Sequence, residues 1–279
     1  MSADIIVRPL HKLDEFRRCV EITREVWGDS ELETEPYITF VIAHHTGGQV
    51  LGAFDGHMMV GFTKAFIAVR DHTVYLHSHM AAVVRSHRDR RVGRQLKLAQ
   101  REDALRRDIR LIEWTFDPLE TKNAHFNINR LGAISRGYIP NFYGITTSPL
   151  HRGLPTDRLL VEWHLDSKRV IAAINDLAAE PRECPAHVHI DNPGPQPFGT
   201  PGQSSRKSSP AIPAATPAAA ASSTAASAPA ETPSLSQLIE LQTRLRTSLT
   251  DWFSKGYALV AVRFRTSGVD YCLAPYSDF

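Results

Sequence analysis

Four arginines crowd into one short segment that begins where an apolar run ends. The segment reads His87-Arg88-Asp89-Arg90-Arg91-Val92-Gly93-Arg94. Helical periodicity starts at Val92, so we predict a turn that leads from a strand into a helix. Backbone N–H groups at a helix N-terminus lack intrahelical partners, and the helix dipole adds positive charge there. With the arginines they favour binding of a phosphate, and Gly93 lets that group approach the backbone.

The main alternative for this segment is a solvated basic face on a surface helix. Its position directly after a strand favours the phosphate site. The spacing is neither a Walker loop nor a Gly-x-Gly-x-x-Gly turn, so it gives no support to nucleoside triphosphate or dinucleotide binding. Nucleic-acid binding is a third hypothesis, disfavoured by the lack of interleaved aromatics and by a formal net charge of only +2.

Side chains able to move protons flank the turn in the sequence. Glu113 interrupts an apolar strand, which suits a general base, although a solvent-facing position explains it equally well. His77 and His79 share one strand face and could act as a base, with a structural role as the favoured alternative. Tyr143 is the candidate general acid and Tyr138 a weaker one, with simple packing in the loop as the favoured alternative. Two histidines alone make a poor metal site, so we predict no metal.

The elements around these residues change from hairpins to alternating strands and helices. An Asp-Gly pair at 55–56 predicts a type I′ turn between two of the strands. Such a pattern indicates an α/β (α+β) fold, with a mixed central sheet and helices on both faces. Strands are predicted at 5–7, 50–54, 58–69, 74–84, 111–116 and 159–165, and helices at about 13–28, 36–45, 92–107 and 120–131.

The turn resembles the pyrophosphate-binding motif of the GNAT N-acetyltransferase superfamily, (Arg/Gln)-x-x-Gly-x-(Gly/Ala). Arg88 stands at the first position and Gly93 at the last, while Arg91 replaces the first glycine. If the loop needs φ > 0 there, arginine costs about 1 kcal/mol of strain. The segment 123–133 is similar to a later helix of the family, with Ile128 in place of the usual tyrosine. The run 114–119 and the C-terminal helix and hairpin resemble a branch of predicted acetyltransferases.

This resemblance implies a GNAT-type sheet and an acyl-CoA co-substrate, acetyl-CoA in the simplest case. It implies transfer of the acyl group to an amine of a small molecule or peptide. A non-catalytic acyl-CoA-binding module of the same fold is the alternative. The residues predicted to bind the cofactor, with the 82–84 backbone holding the pantetheine arm and offering the oxyanion donor, are Ala82, Val83, Val84, Arg88, Asp89, Arg90, Arg91, Val92, Gly93, Arg94, Asn123 and Asn127. The predicted catalytic residues are Glu113, Tyr143 and His79.

Composition divides the chain into three parts. Residues 1–190 are predicted to be the acyl-CoA-binding domain that the GNAT resemblance implies, and 191–233, rich in Pro, Ala and Ser, are predicted to be a disordered linker. Residues 234–279 open with a Ser234-x-x-Gln237 capping box and predict a helix and a hairpin. About 46 residues rarely fold alone, so this unit should pack on the main sheet or on a second copy, as in a homodimer.

Three cysteines, Cys19, Cys184 and Cys272, form no CxxC pair. So sparse and odd a set favours a reducing cytoplasm over a disulfide framework. The N-terminus lacks the apolar region of a signal peptide, and no apolar run is long enough to cross a bilayer. We therefore expect a cytoplasmic protein without a membrane partner.

Overall fold

The computed structural model describes residues 4–28, 34–146, 148, 151–176, 184–191 and 233–278. Its strands are β1 (Ile5–Pro9), β2 (Gln49–Asp55), β3 (Met58–Arg70), β4 (Thr73–Val83), β5 (Leu111–Phe116), β6 (Ile134–Ile139), β7 (Arg158–His164), β8 (Ala186–Asp191), β9 (Tyr257–Arg265) and β10 (Gly268–Pro275). Its helices are α1 (Leu13–Trp27), α2 (Tyr37–His45), α3 (Val92–Arg106), α4 (Thr121–His125), α5 (Lys168–Ile174) and α6 (Leu235–Ser254).

The strands make one sheet in the order β1-β2-β3-β4-β5-β7-β6-β9-β10-β8. Every neighbouring pair is antiparallel except β4 with β5, which is parallel. The chain between those two strands is the turn and α3, because parallel neighbours need a crossover. The predicted mixed sheet is confirmed.

Helices cover both faces of this sheet, as predicted. On one face Phe40 of α2 lies edge-on to Phe62 of β3, with ring centroids 5.5 Å apart. On the other face Gln49 of β2 donates a hydrogen bond of 2.7 Å to Asp103 of α3. We call these the α2 face and the α3 face. Residues on neighbouring strands are assigned to a face by their register.

The type I′ turn predicted at 55–56 is absent there, and the next hairpin has that geometry instead. At Gly56 and His57, between β2 and β3, only Gly56 has a positive φ, of 60°. A type I′ turn needs φ > 0 at both central residues, so that prediction is wrong here. Asp71 and His72, between β3 and β4, have φ values of 47° and 62° and meet that requirement instead.

The sequence patterns did not predict two of the strands and one of the helices. Strand β6, Ile134–Ile139, lies where no strand was predicted. Strand β8 and helix α5 were also missed.

The helix predicted at 120–131 is found as α4 followed by a π-helical turn, Phe126–Arg130, before Gly132 at φ 74°. Single π turns occur often at functional sites.

The C-terminal unit packs on the chain's own sheet. Ser234 accepts a hydrogen bond from the Gln237 N–H and caps α6, as the capping box predicts. Leu245 and Leu249 of this helix share one core with Trp163 of β7 and Tyr271 of β10. Strand β9 meets β6 through the pair Ser135–Leu259. A second copy of the chain is therefore not needed to bury the unit.

The first residue of the predicted linker belongs to a strand. Asp191, placed at the start of the linker by composition, ends β8, which pairs with β10. The rest of the predicted linker, up to residue 232, lies outside the described residues. Within the described residues, no helix is long and apolar enough to cross a membrane.

A disulfide joins Cys184, just before β8, to Cys272 of β10. The expectation of three unpaired cysteines is therefore wrong, because the two partners are 88 residues apart in sequence and no spacing pattern connects them. Cys19 remains a free, buried thiol. Burial raises the pKa of that thiol well above its usual range, so the group stays protonated and packs as a small apolar side chain.

Candidate functional site

A gap opens between the two parallel strands of the sheet. β4 and β5 pair only at Leu76 with Ile112 and at His77 with Glu113. Beyond that point β4 continues to Val83 and β5 to Phe116 without further pairing to each other in the described residues. Backbone N–H and C=O groups along both facing edges then lack a ladder partner. Such a gap accepts an extended chain of amide groups.

The β4 edge of the gap differs from the sequence expectation. The N–H of Val84 is bonded to the carbonyl of Val60 at 2.9 Å. Since an antiparallel ladder alternates, Ala82 also turns to β3, and Val83 turns to the gap. Val84 is therefore unable to hold a ligand through its N–H, and Val83 is the member of the predicted trio best placed to do so.

The turn at the open end of the gap has the geometry of an anion site. Asp89 and Arg91 take left-handed conformations, with φ of 61° and 62°. The first hydrogen bond of α3 runs from the Gln95 N–H to the Arg91 carbonyl, so the N–H groups of residues 92–94 precede it. Left-handed residues just ahead of a helix start turn successive N–H groups towards one point. The positive φ anticipated at Arg91 is present.

Gly93 leaves open space beside these N–H groups. A Cβ atom built there would meet only Val83 Cγ2, at 4.0 Å, among the described atoms. Its φ is not in the left-handed region. Neither packing nor backbone conformation therefore calls for glycine at this position. The space fits a phosphate group that approaches the start of α3.

The arginines of the turn have different partners. Arg88 Nε donates 3.2 Å to the carbonyl of Val83, at the mouth of the gap. Arg90 lies 3.5 Å from Asp55. Arg94 of α3 donates a hydrogen bond to the carbonyl of Ile174, at the end of α5. Its side chain therefore ties α3 to α5 and does not point at the turn. Of these three arginines, Arg88 is the one whose position agrees best with the predicted contact to a phosphate.

The first turn of α4 lies next to the anion site. Burial lowers the pKa of Lys122, while the nearby charges of Asp89 and Glu120 raise it, which places the 88–94 turn beside α4. The two asparagines of the prediction bond to each other, Asn127 Nδ2 to Asn123 Oδ1 at 3.3 Å. Asn127 is buried, so Asn123 is the better placed of the two for contact with a ligand.

A β-bulge falls where the gap begins. Lys64 of β3 pairs with Met80, and Ala65 pairs with Ser78, so His79 is the extra residue on β4. Bulges are common beside active sites, where they redirect a side chain. His77 and His79 point to the α2 face, with ring centroids 6.4 Å apart. Burial lowers the pKa of both histidines, which favours neutral imidazoles able to accept a proton.

Glu113 lies opposite His77 in the neighbouring strand, and its carboxylate is held in an ion pair. Its side chain is 2% exposed, so the solvent-facing alternative is wrong. Both carboxylate oxygens accept hydrogen bonds from Arg70 of β3, at 2.9 and 2.5 Å. Both oxygens of the carboxylate are thus engaged by one guanidinium, and neither is open towards a ligand. The geometry therefore favours His79 over Glu113 for proton transfer, and Arg70 is a partner that the sequence did not reveal.

Tyr143 reaches the free end of β5. Its hydroxyl lies 3.4 Å from Thr115 Oγ1, and the side chain is about half exposed. Thr115 follows Glu113 by two residues and so lies on the α2 face. Tyr138 instead donates to the buried carboxylate of Asp157 at 2.6 Å, and its pKa is raised by burial and by that bond. Ile128, at the usual tyrosine position, is fully buried.

Two buried ionisable groups near the gap were not anticipated. Lys97 of α3 donates to Ser78 at 2.9 Å and to Gln100 at 3.1 Å, and burial lowers its pKa to about 7. Glu120 has both carboxylate oxygens buried without a hydrogen-bond partner, and burial raises its pKa to about 7. The sequence signal that could have revealed Lys97 is a charged residue between Leu96 and Leu98.

Among the described residues no group of three His, Cys, Asp or Glu could hold a metal.

Neither a protein-family model nor a curated protein matches the sequence. Solved structures are similar to part of the chain. A GNAT-family protein from Desulfovibrio desulfuricans is 12% identical, covers 58% of this chain and 99% of its own, and has a TM-score of 0.48. The ribosomal-protein-S18-alanine N-acetyltransferase of Escherichia coli is 12% identical over 59% of this chain and 96% of its own, with a TM-score of 0.46.

A third similar structure is yncA from Salmonella typhimurium, determined with its cofactor acetyl-CoA. It is 15% identical, covers 65% of this chain and all of its own, and has a TM-score of 0.48. Each of the three is matched over nearly its whole length and over 58–65% of this chain.

Proposed function

We propose that the chain transfers an acyl group, acetyl in the simplest case, from acyl-CoA to an amine of a small molecule or peptide. One observation carries the proposal: a turn with unpaired helix-start N–H groups and several arginines lies at the open end of a gap between parallel strands, and a bulge with two histidines lies at its closed end. From His77 to Val83 the strand spans roughly 20 Å. A ligand with a phosphate at one end and a reactive group at the other suits that separation.

In this proposal the backbone binds most of the co-substrate. The N–H groups of residues 92–94 and the Arg88 guanidinium hold the pyrophosphate. The gap-facing N–H of Val83 donates to a carbonyl of the pantetheine arm, while the Val83 carbonyl keeps its bond from Arg88. N–H groups freed by the bulge at His79 polarise the thioester carbonyl and stabilise the developing oxyanion.

Side chains of the α2 face then move the protons. The acceptor nitrogen gives a proton to His79 and attacks the thioester carbon, and the carbon–sulfur bond breaks. Tyr143 protonates the leaving thiolate. Glu113 remains paired with Arg70 and fixes the start of the gap. The aromatic residues Phe142 and Tyr143, both exposed, form part of the acceptor surface.

Binding and turnover test this proposal separately. Acetyl-CoA is expected to raise the melting temperature and to bind with a measurable heat by titration calorimetry, because the anion site and the gap are already formed. A panel of amines and peptide N-termini should then release free CoA, detected with a thiol reagent. No binding at millimolar acetyl-CoA would overturn the proposal. Binding without CoA release from any amine would favour the non-catalytic module.

Gly93→Ala is the sharpest single test of the anion site. The added methyl meets no close protein atom, so folding stability should rise by about 0.5–1 kcal/mol. The same methyl occupies the space assigned to the phosphate, so acetyl-CoA affinity should fall at least tenfold.

Gly132→Ala is the matched control. There φ is +74°, and the new Cβ would lie 2.9 Å from Ala173 Cβ and from Val170 Cα. Stability should fall while acetyl-CoA affinity stays within twofold. Unchanged affinity in Gly93→Ala would show that the phosphates bind elsewhere.

A further inference from the structure

Three side chains from separate elements meet behind the bulge on the α2 face. Glu35 lies two residues before α2, Lys64 belongs to β3, and His79 is the bulged residue of β4. The Lys64 side chain is fully buried, and its ammonium bonds to Glu35 Oε1 and, at 2.9 Å, to Thr39 Oγ1. That ammonium also lies over the ring of Phe66, 4.6 Å from its centroid.

The two oxygens of Glu35 have different surroundings. Oε1 is fixed by Lys64, whereas Oε2 is buried and accepts no hydrogen bond. The Nε2 atom of His79 lies 3.7 Å from Oε2. Buried acceptors are rarely left unsatisfied, so an unused oxygen facing an imidazole nitrogen calls for an explanation. A shift of less than 1 Å would turn this contact into a hydrogen bond.

We infer that Glu35 is the positioning residue of His79, holding its ring at the bulge and stabilising the imidazolium formed during acyl transfer. The inference rests on the proposed function. Glu35 accepts from Nε2–H, which leaves the lone pair of Nδ1 for the acceptor. The proton passes from the acceptor nitrogen to Nδ1, the nitrogen bonds to the thioester carbon, and the thiolate leaves.

The charges around His79 support this role. Burial is the largest influence and lowers the pKa of the ring, and Lys64 and His77 lower it further. Glu35 acts in the opposite direction. The next groups, Glu113 with Arg70 and Lys97 across the sheet, act on His77 rather than directly on His79. Glu35 is thus the side chain that favours the protonated ring.

An NMR titration of the histidine Cε1–H signals tests the contact without any substrate. Glu35→Gln keeps the shape and the hydrogen bond from Lys64 but removes the charge, so the pKa of His79 should fall. Lys64→Met removes the opposing charge, so the pKa of His79 should rise. Opposite shifts in the two variants support the inference. No shift in Glu35→Gln, with a folded spectrum, overturns it.

Kinetics test the consequence. In Glu35→Gln, kcat should fall by about tenfold to a hundredfold, and the acid limb of the kcat/KM profile should move to lower pH. Acetyl-CoA affinity should be unchanged, because Glu35 lies on the opposite face from α3. Glu102→Gln, on the exposed side of α3, is the control and should behave as the parent chain.

A double variant separates positioning from general destabilisation. In a His79→Gln background, adding Glu35→Gln should cost no further activity, because the residue through which it acts is gone. An additional loss equal to that of the single variant would overturn the inference. If the parent chain transfers no acyl group to any amine, the proposed function fails, and the NMR titration still decides whether Glu35 governs His79.

Discussion

Arg246 of α6 donates two hydrogen bonds, both 2.9 Å, to the carboxylate of Asp157. The Asp157 side chain is fully buried, and it also accepts from the Tyr138 hydroxyl at 2.6 Å and from the Asn141 N–H at 2.9 Å. One carboxylate therefore ties the C-terminal helix to β6 and to the segment that carries Tyr143. The C-terminal unit fixes the loop beside the candidate site.

Arg246→Ala should lower the free energy of unfolding by about 2 kcal/mol, because it leaves a buried carboxylate without its charge partner. The loss is smaller than for a fully buried pair, since the arginine side chain is 35% exposed. Urea denaturation measures it. The KM for the acceptor should rise with the loosened loop, whereas acetyl-CoA affinity should not change.

Arg244→Ala, in the same helix, is the control for that variant. Arg244 pairs with Asp191 at the surface, where both side chains are more than half exposed. Exposed pairs contribute little, so stability should change by less than about 0.5 kcal/mol. Equal losses in the two variants would contradict the role given to Arg246.

Arg91→Gly and Asp89→Gly separate backbone strain from charge in the turn before α3. Both residues have positive φ, so glycine should stabilise the fold in each case, by about 1 kcal/mol at Arg91 and by less at Asp89, since aspartate tolerates this conformation better. Acetyl-CoA affinity should fall in Arg91→Gly and rise in Asp89→Gly, because the local charge changes in opposite directions. Calorimetric titration measures both. Affinity changes of the same sign would assign the effect to the backbone.

Lys97→Met should stabilise the fold, and more strongly at low pH. The pKa of Lys97 falls from 10.5 to about 7 on folding. Below pH 7 the folded chain holds a buried ammonium without a carboxylate bonded to it, and the penalty is greatest. Between pH 7 and 10.5 the unfolded chain binds the extra proton, so the stability of the parent chain rises with pH. The gain from methionine is therefore expected to be about 1–2 kcal/mol at pH 6 and smaller at pH 9.

Urea denaturation of both chains at the two pH values checks this prediction. Lys255→Met is the control, because Lys255 is half exposed and pairs with Asp251 at the surface. It should show no gain that depends on pH in this range. A gain in Lys97→Met that is the same at pH 6 and pH 9 would contradict the lowered pKa of the buried lysine.

Local patterns in the sequence were enough to predict the strand, the turn and the helix that follows it. Apolar residues three and four apart mark α3, and the arginines and Gly93 mark its start, because all of these signals lie within one or two turns of chain. The pattern failed at β6, whose sequence Ile-Ser-Arg-Gly-Tyr-Ile carries an inner glycine and little apolar alternation. That strand exists because β7 and β9 pair with its edges.

By itself, then, the sequence determined where the candidate site begins and which residues could carry a proton. The tertiary structure decided which of them are free to do so. In the folded chain Glu113 pairs with Arg70, and the bulge on β4 places His79 next to Glu35. A disulfide joins Cys184 to Cys272. These contacts join residues 43, 44 and 88 positions apart. Strand register and packing set such distances, and no local periodicity records them.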